Sequence, residues 1–247
     1  MSNNFRTDIQ SLRGIAVLLV LLFHFFPDIF PRGYLGVDIF FVISGYLITS
    51  LIKKEILIRD KISYLNFLDR RIRRIIPLII FVFLVFLPIA YIFLLPQNLM
   101  DFSKSILYSL GFSSNVYFYL TEVEYGLENL SKPILHLWSL SIEQQYYIIF
   151  PIIFFLIFKF FKQRIILFFL ILVFLNLFLM QFLGNLKVSP PFVEENFSLE
   201  AKTVFFNFYF LSSRLWEFFA GTLVSLMEEK KNEANGNLNS VLCNFGF

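Results

Sequence analysis

Arg13 and His24 stand eleven positions apart in the apolar run SLRGIAVLLVLLFHFF. On an α-helix that separation is a rotation of about 1100°, three turns plus roughly 20°, and a rise of about 16 Å. Both side chains therefore lie on one face, in a line along the axis. An ionisable residue inside a lipid-spanning helix is costly, and marks a functional site by default. A guanidinium at this position can hold an anionic ligand, and an imidazole further along the same face can act on whatever that ligand carries. The plainer alternatives are a histidine hydrogen-bonded between helices and an arginine at the start of a span, among lipid phosphates.

Three further groups of residues could carry chemistry. In RRIRR, residues 70–74, four arginines fall within five positions. Arg71 and Arg74 are neighbours at i, i+3 on a helix, and paired guanidinium forks suit bidentate phosphate binding. Juxtamembrane arginine also sets topology and meets anionic head groups. In HLWSLSIEQQYYIIFP, Ser141 followed three residues later by Gln144 reads as a capping box that opens a helix. Glu143 would then sit in the first turn, where the helix dipole favours a carboxylate, and His136 just before it. Trp138, Tyr146 and Tyr147 fall at the height of an interfacial aromatic belt. In GYLGVDIFFVISGYLI, Asp38 stands at one end of an apolar run whose Ser44 and Gly45 would admit another helix closely. Arg214 and Glu217 are i, i+3 at the start of the last apolar run and could pair.

The elements that must position these residues are membrane helices. The chain has 247 residues, of which 57% are hydrophobic and 16% charged, whereas about 25% is usual for a soluble domain. Apolar runs of spanning length lie at about 12–30, 36–52, 75–95, 140–161, 164–183 and 204–227. The first is read as a retained span, because no small-residue cleavage site follows it. The more polar segment 101–120 reads as a partial or interfacial helix. The connector KKEILIRDKISYLNFLDRRIRR holds eight Lys/Arg against three acids, so it is expected in the cytoplasm. The connectors 96–139 and 184–203 each hold two Lys, with four and three acids respectively, and are expected outside. The expected fold is therefore all-α, a polytopic transmembrane bundle of about six spans plus a partial element, with the N-terminus inside. Residues 1–228 form the membrane domain and 229–247 a polar, flexible tail.

The single Cys243 excludes an intrachain disulfide and a Cys-rich metal site. The two histidines are far apart in sequence, no metal-ligand spacing is present, and no metal is expected. The 36 phenylalanines are read as bulk apolar residues rather than as a site.

Taken in order, FRTDIQSLRGIAVLLVLLFH, GYLGVDIFFVISGYLI, FLDRRIRRIIP, ILHLWSLSIEQQYYIIFP and SRLWEFFAGTLVSL resemble the acyltransferase-3 family of integral membrane O-acyltransferases. The family's Arg/Lys-x10-His signature falls on Arg13 and His24. Its Arg-x-x-Arg signature falls on Arg71 and Arg74, with Arg70 and Arg73 also fitting the spacing. Where the family often has Glu-Glu-Gln, this chain has Glu143, Gln144 and Gln145. The resemblance implies transfer of an acyl group, commonly acetyl, from cytoplasmic acyl-CoA to a hydroxyl on an extracytoplasmic glycan. Typical acceptors are lipopolysaccharide, peptidoglycan or an exopolysaccharide. Arg71, Arg74 and Arg13 would bind the donor at the inner side. His24, deep in the membrane, would act as general base or transient acyl carrier. Glu143 would act with it, and Asp38 and His136 would meet the sugar in the outer half. The expected location is the cytoplasmic membrane, the partners are acyl-CoA, glycan and lipid, and nucleic acid is not among them.

The family's membrane domain usually continues with several more spans, so the chain is expected to be shortened at its C-terminus. A shortened, non-catalytic protein or subunit is one alternative. A small-anion transporter using Arg13, His24 and Arg214 is another. The latter calls for repeated halves with broken helices, and the sequence has no such symmetry.

Overall fold

The structure is a computed structural model and describes residues 6–125, 132–186 and 206–244. Every regular element among them is helical. In chain order they are α1 (Thr7–Phe25), α2 (Leu35–Arg59), α3 (Tyr64–Phe93), α4 (Pro96–Leu110), α5 (Ser114–Tyr125), α6 (Leu137–Phe161), a short 3-10 turn (Lys162–Arg164), α7 (Ile165–Leu186) and α8 (Leu211–Asn244). Among the described residues, four stretches are long and apolar enough to cross a membrane: α1, α2, α3 and the run Leu137–Phe182. The last of these contains α6 and most of α7. The protein is an integral membrane protein of helical type.

Lipid, not water, explains the outer faces. In α3, Phe81 is 63% and Leu84 69% exposed, a density of bare apolar surface that a soluble helix does not carry. In hydrocarbon the backbone must satisfy its own polar groups, which helices do. Pro77 and Pro88 lie inside α3 without ending it, as is tolerated in membrane helices.

Contacts divide the chain into two compact units. One comprises residues 1–60, 154–174 and 215–247, the other 61–153 and 175–214.

In the first unit, α1 and α2 form an antiparallel pair. A methyl added at Gly36 would meet the Ala16 carbonyl, and one at Gly33 the Leu19 carbonyl. The Arg6 guanidinium reaches Tyr46. These three pairs share one register, so heights along the two helices can be read off directly. Helices α2 and α8 meet at a second glycine contact. A methyl on Gly45 would overlap the Phe218 carbonyl, and one on Gly221 the Val42 carbonyl. Close backbone approach at small residues is how membrane helices gain packing energy. Thr49 and Thr222, both fully buried, hydrogen-bond across the contact at 3.0 Å, and Phe41 stacks on Phe218 at 4.8 Å. The 3-10 turn at Lys162–Arg164 reverses the chain. Phe154 and Phe169 stack at 6.0 Å, although fifteen residues of continuous helix would hold them about 22 Å apart. The run Leu137–Phe182 is thus a helical hairpin rather than one long rod.

In the second unit, segment 101–120 is broken in two. Helix α4 ends at Leu110, Phe112 takes φ 52°, and α5 starts at Ser114. Tyr108 stacks on Tyr117 at 4.9 Å across this break. At fifteen residues α4 is about 22 Å long. The start of α5 is buried against α6. Ser114 and Ser141 share a hydroxyl hydrogen bond of 2.7 Å. Gln145 donates to the Phe112 carbonyl and to Asn115, each at 2.9 Å, and Asn115 donates to the Tyr209 carbonyl at 3.0 Å.

Helix α8 runs to Asn244. It continues through residue 228, where the sequence reading places the start of the tail.

Candidate active site

Helix α1 is unbroken from Thr7 to Phe25, so Arg13 and His24 keep the one-face relation that their spacing predicts. Their depths differ from expectation. The span expected over 12–30 ends at Phe25, because the chain turns at 27–29 on the way to α2. His24 is therefore in the last turn of α1 and exposed, not in the interior of the span. Its Nδ1 lies 2.7 Å from the Val20 carbonyl. A carbonyl only accepts, so Nδ1 carries the proton and the basic lone pair is on Nε2.

Arg13 is half-buried, two turns into α1. In the α1/α2 register, Gly36 meets Ala16 and Tyr46 meets Arg6, which places Asp38 at about the height of Arg13. The structure thus brings these two predicted residues to one level on adjacent helices, where the sequence reading sets Arg13 at the inner side and Asp38 in the outer half. Asp38 lies in the first turn of α2.

Arg71 and Glu143 come together in the second unit. Arg71 is half-buried, with its guanidinium carbon 5.6 Å from the centre of the Phe67 ring and 4.8 Å from that of Tyr147. The Tyr147 hydroxyl donates to Glu143 one turn earlier on α6, and Tyr64 donates to the Ile148 carbonyl at 2.9 Å. The sequence reading separates Arg71, on the inner side, from Glu143, in the outer half. One cluster through Tyr147 does not permit that separation. Arg74 is exposed. Arg73 is tied to Asp69 at 2.9 Å, whereas Arg70 and Arg74 have no acidic partner among the described residues. The pair Arg71 and Arg74 thus presents one packed and one open cation.

Two other expectations for this segment are corrected. Helix α6 starts at Leu137, so Ser141 is within it and does not cap it, and its first turn holds no acid. The turn at Pro133–His136 begins the helix instead, and the Ser141 hydroxyl is spent on Ser114. The aromatic residues form no interfacial belt. Trp138, Tyr146 and Tyr147 are each 6% exposed or less, and Trp138 packs on Phe208 at 4.4 Å. His136 is exposed just before α6. Glu217 is fully buried on α8, and Arg214 lies 5.5 Å from the Phe208 ring. No group of three or more His, Cys, Asp or Glu that could hold a metal occurs among the described residues.

Sequence reasoning missed one further cluster. Arg6 donates to Asp8 at 2.7 Å, and to Tyr46 and Glu228 at 3.0 Å each; Tyr46 also donates to Glu228. The hydrogen bond that Arg6 donates to Asp8, reinforced by Tyr46 and Glu228, raises the affinity of Arg6 for its proton further, so it is a fixed cation. Its partners lie 40 and 222 positions away, and no local pattern announces them. The Glu143–Tyr147 pair, at i, i+4 on one helix, was visible in the sequence.

The sequence model of the acyltransferase domain family, Acyl_transf_3, matches residues 6–241. O-acetyltransferase OatA of Staphylococcus aureus (strain NCTC 8325 / PS 47) is 36% identical over 163 residues, which are 66% of this chain and 27% of that protein. The putative O-acetyltransferase SACOL0978 of Staphylococcus aureus (strain COL) is 39% identical over 145 residues, 59% of this chain and 24% of that protein. The chain thus aligns with about a quarter of the length of these relatives. No solved structure matches.

Proposed function

Since the chain belongs to the acyltransferase domain family, we propose that it is a membrane O-acyltransferase. It moves an acyl group, acetyl in the first instance, from cytoplasmic acyl-CoA to a hydroxyl of an extracytoplasmic cell-envelope carbohydrate. The observation that carries this reading is the cluster of Arg71, Tyr147 and Glu143. An arginine on the face of a tyrosine whose hydroxyl holds a carboxylate offers an anion-binding group and a carboxylate within one cluster.

The reaction forms an ester at the acceptor oxygen and releases the thiol of coenzyme A. Arg71 and Arg74 hold donor phosphates as charge-assisted pairs. Arg13 guides the donor inward, about 10 Å beyond Arg6 along α1. His24 Nε2 takes the proton of the attacking hydroxyl, or itself carries the acyl group for one step. Glu143 accepts or orients a proton, with its carboxylate fixed by Tyr147. Asp38 and His136 contribute to acceptor binding. The Lys/Arg bias supports a cytoplasmic N-terminus and a cytoplasmic connector before α3, in a protein of the cytoplasmic membrane.

The experiment is mass analysis of envelope polysaccharide from cells with and without the chain. An added mass of one acetyl group per repeat supports the reading, and unchanged polysaccharide alongside membrane-inserted protein overturns it. The relatives' names support the acetyl group, since both are O-acetyltransferases.

A further inference from the structure

Helix α6 carries two adjacent glutamines whose amides are used differently. Gln145 spends both amide hydrogens, one on the Phe112 carbonyl and one on Asn115 Oδ1, each at 2.9 Å. Gln144 is more deeply buried, at 5% exposed, and its Nε2 has no hydrogen-bond partner among the described residues. Burying an amide donor without a partner carries the full cost of desolvating it. Folded proteins pair nearly all such groups, and an exception needs a cause: a bound water, or a partner that arrives with a ligand.

The place of Gln144 in the fold favours the ligand. It lies about 10 Å along α6 from the start of the helix at Leu137. Helices α4 and α5 fold back on each other, since the Tyr117 hydroxyl donates to the Asp101 carbonyl at 3.0 Å. The start of α5 then meets α6 at Ser141 and Gln145, on either side of Gln144 in the sequence. Glu143 and Tyr147, with Arg71 on the Tyr147 ring, belong to the same two turns of α6. The unmet amide thus falls within the stretch that holds both the polar start of α5 and the charged cluster. The hairpin α4–α5 lies within 96–139, whose charge count favours the outer side, where a carbohydrate would arrive.

We propose that Gln144 Nε2 donates a hydrogen bond to a neutral oxygen of the carbohydrate acceptor, a hydroxyl in the first instance, and so selects the acceptor. An uncharged amide suits an uncharged oxygen, whereas anionic groups are better matched by the arginines. A buried donor also discriminates: an analogue that lacks the oxygen leaves the amide unpaired in the complex, which is how hydrogen-bonding sites reject near-identical ligands. The proposal rests on the acyltransferase reading above and names a residue of its acceptor site.

The test uses the full chain in nanodiscs of phosphatidylcholine, with envelope polysaccharide freed of its O-acetyl esters by mild base as the probe. Gln144→Met keeps the length of the side chain and removes both donors. It should raise the thermal unfolding midpoint, because an unmet buried amide is gone. It should also weaken polysaccharide binding and raise the polysaccharide KM about fivefold, the scale of one neutral hydrogen bond, with the KM for acetyl-CoA unmoved. Gln145→Met is the structural counterpart: it loses two hydrogen bonds and should lower the midpoint. A lower midpoint for Gln144→Met means that its amide holds the fold through a bound water, and overturns the proposal. Polysaccharide binding unchanged by Gln144→Met overturns it as well, and a raised KM for acetyl-CoA in that case assigns the amide to the donor. If polysaccharide binds the unaltered chain, and binds Gln144→Met less well, but no acetyl group is transferred, the acceptor residue stands and the transferase reading falls.

Discussion

The guanidinium carbon of Arg71 lies 4.8 Å from the centre of the Tyr147 ring, and the hydroxyl of that same ring donates to Glu143. One tyrosine therefore serves two charges of opposite sign, through its face and through its edge. A cation on an aromatic face contributes about 0.5–2 kcal/mol, more when desolvated, and Tyr147 is 4% exposed.

This arrangement separates the two functions of Tyr147 experimentally. Tyr147→Phe keeps the ring under Arg71 and removes the hydroxyl from Glu143. We expect the turnover number to fall about tenfold, the scale of one hydrogen bond to a charged group, with the KM for acetyl-CoA unchanged. Tyr147→Leu removes the ring as well and should also raise that KM. Steady-state kinetics on reconstituted protein reads the split. Equal effects of the two substitutions on both parameters would refute it.

His24→Ala should abolish transfer while acetyl-CoA still binds, because the proposed mechanism uses Nε2 on the reacting group and Arg71 and Arg74 on the donor phosphates. Calorimetry on the variant and mass analysis of the acceptor glycan check the two halves. Full acceptor modification by this variant would remove His24 from the mechanism.

Glycine packing makes a stability prediction. Gly45→Ala and Gly221→Ala each put a methyl onto a backbone carbonyl of the facing helix. Backbone cannot swing aside as a side chain can, so each should destabilise by about 1–3 kcal/mol, the usual cost of overpacking. Gly14→Ala has nothing within 4 Å of the added methyl and should be neutral or slightly stabilising in a helix. Thermal unfolding in detergent, followed by circular dichroism, distinguishes the three.

Asn115→Leu tests the buried start of α5. Asn115 is fully buried, donates to the Tyr209 carbonyl and accepts from Gln145. Its loss strands both partners, at about 1–3 kcal/mol each. The variant should lower the unfolding midpoint more than Ser103→Ala, whose exposed hydroxyl bonds only its own helix.

Much of this was legible in the residues. Runs of apolar residues long enough to cross a bilayer leave the backbone no option but helix, and α1, α2, α3, α6 and α7 all fall on such runs. The break within 101–120 was not legible: the sequence reads there as one partial or interfacial helix, and the structure makes it two, α4 and α5. Helix starts were not all legible either. The Ser141–Gln144 spacing fits a capping box, yet a serine in the interior of a helix can spend its hydroxyl on a neighbouring helix instead, and Ser141 does so with Ser114.

The sequence by itself determined which residues could do chemistry and, through the period of the helix, which of them share a face: Arg13 with His24, Arg71 with Arg74. Those relations are local, and 3.6 residues per turn settles them. Only the tertiary structure decided what meets across helices. It joined Arg71 to Glu143 through Tyr147, ended α1 so that His24 stands in its last turn, and brought Arg6 to Glu228, 222 positions away. Such meetings depend on how far one helix overhangs another and where glycines let backbones close, which no periodicity along a single chain encodes.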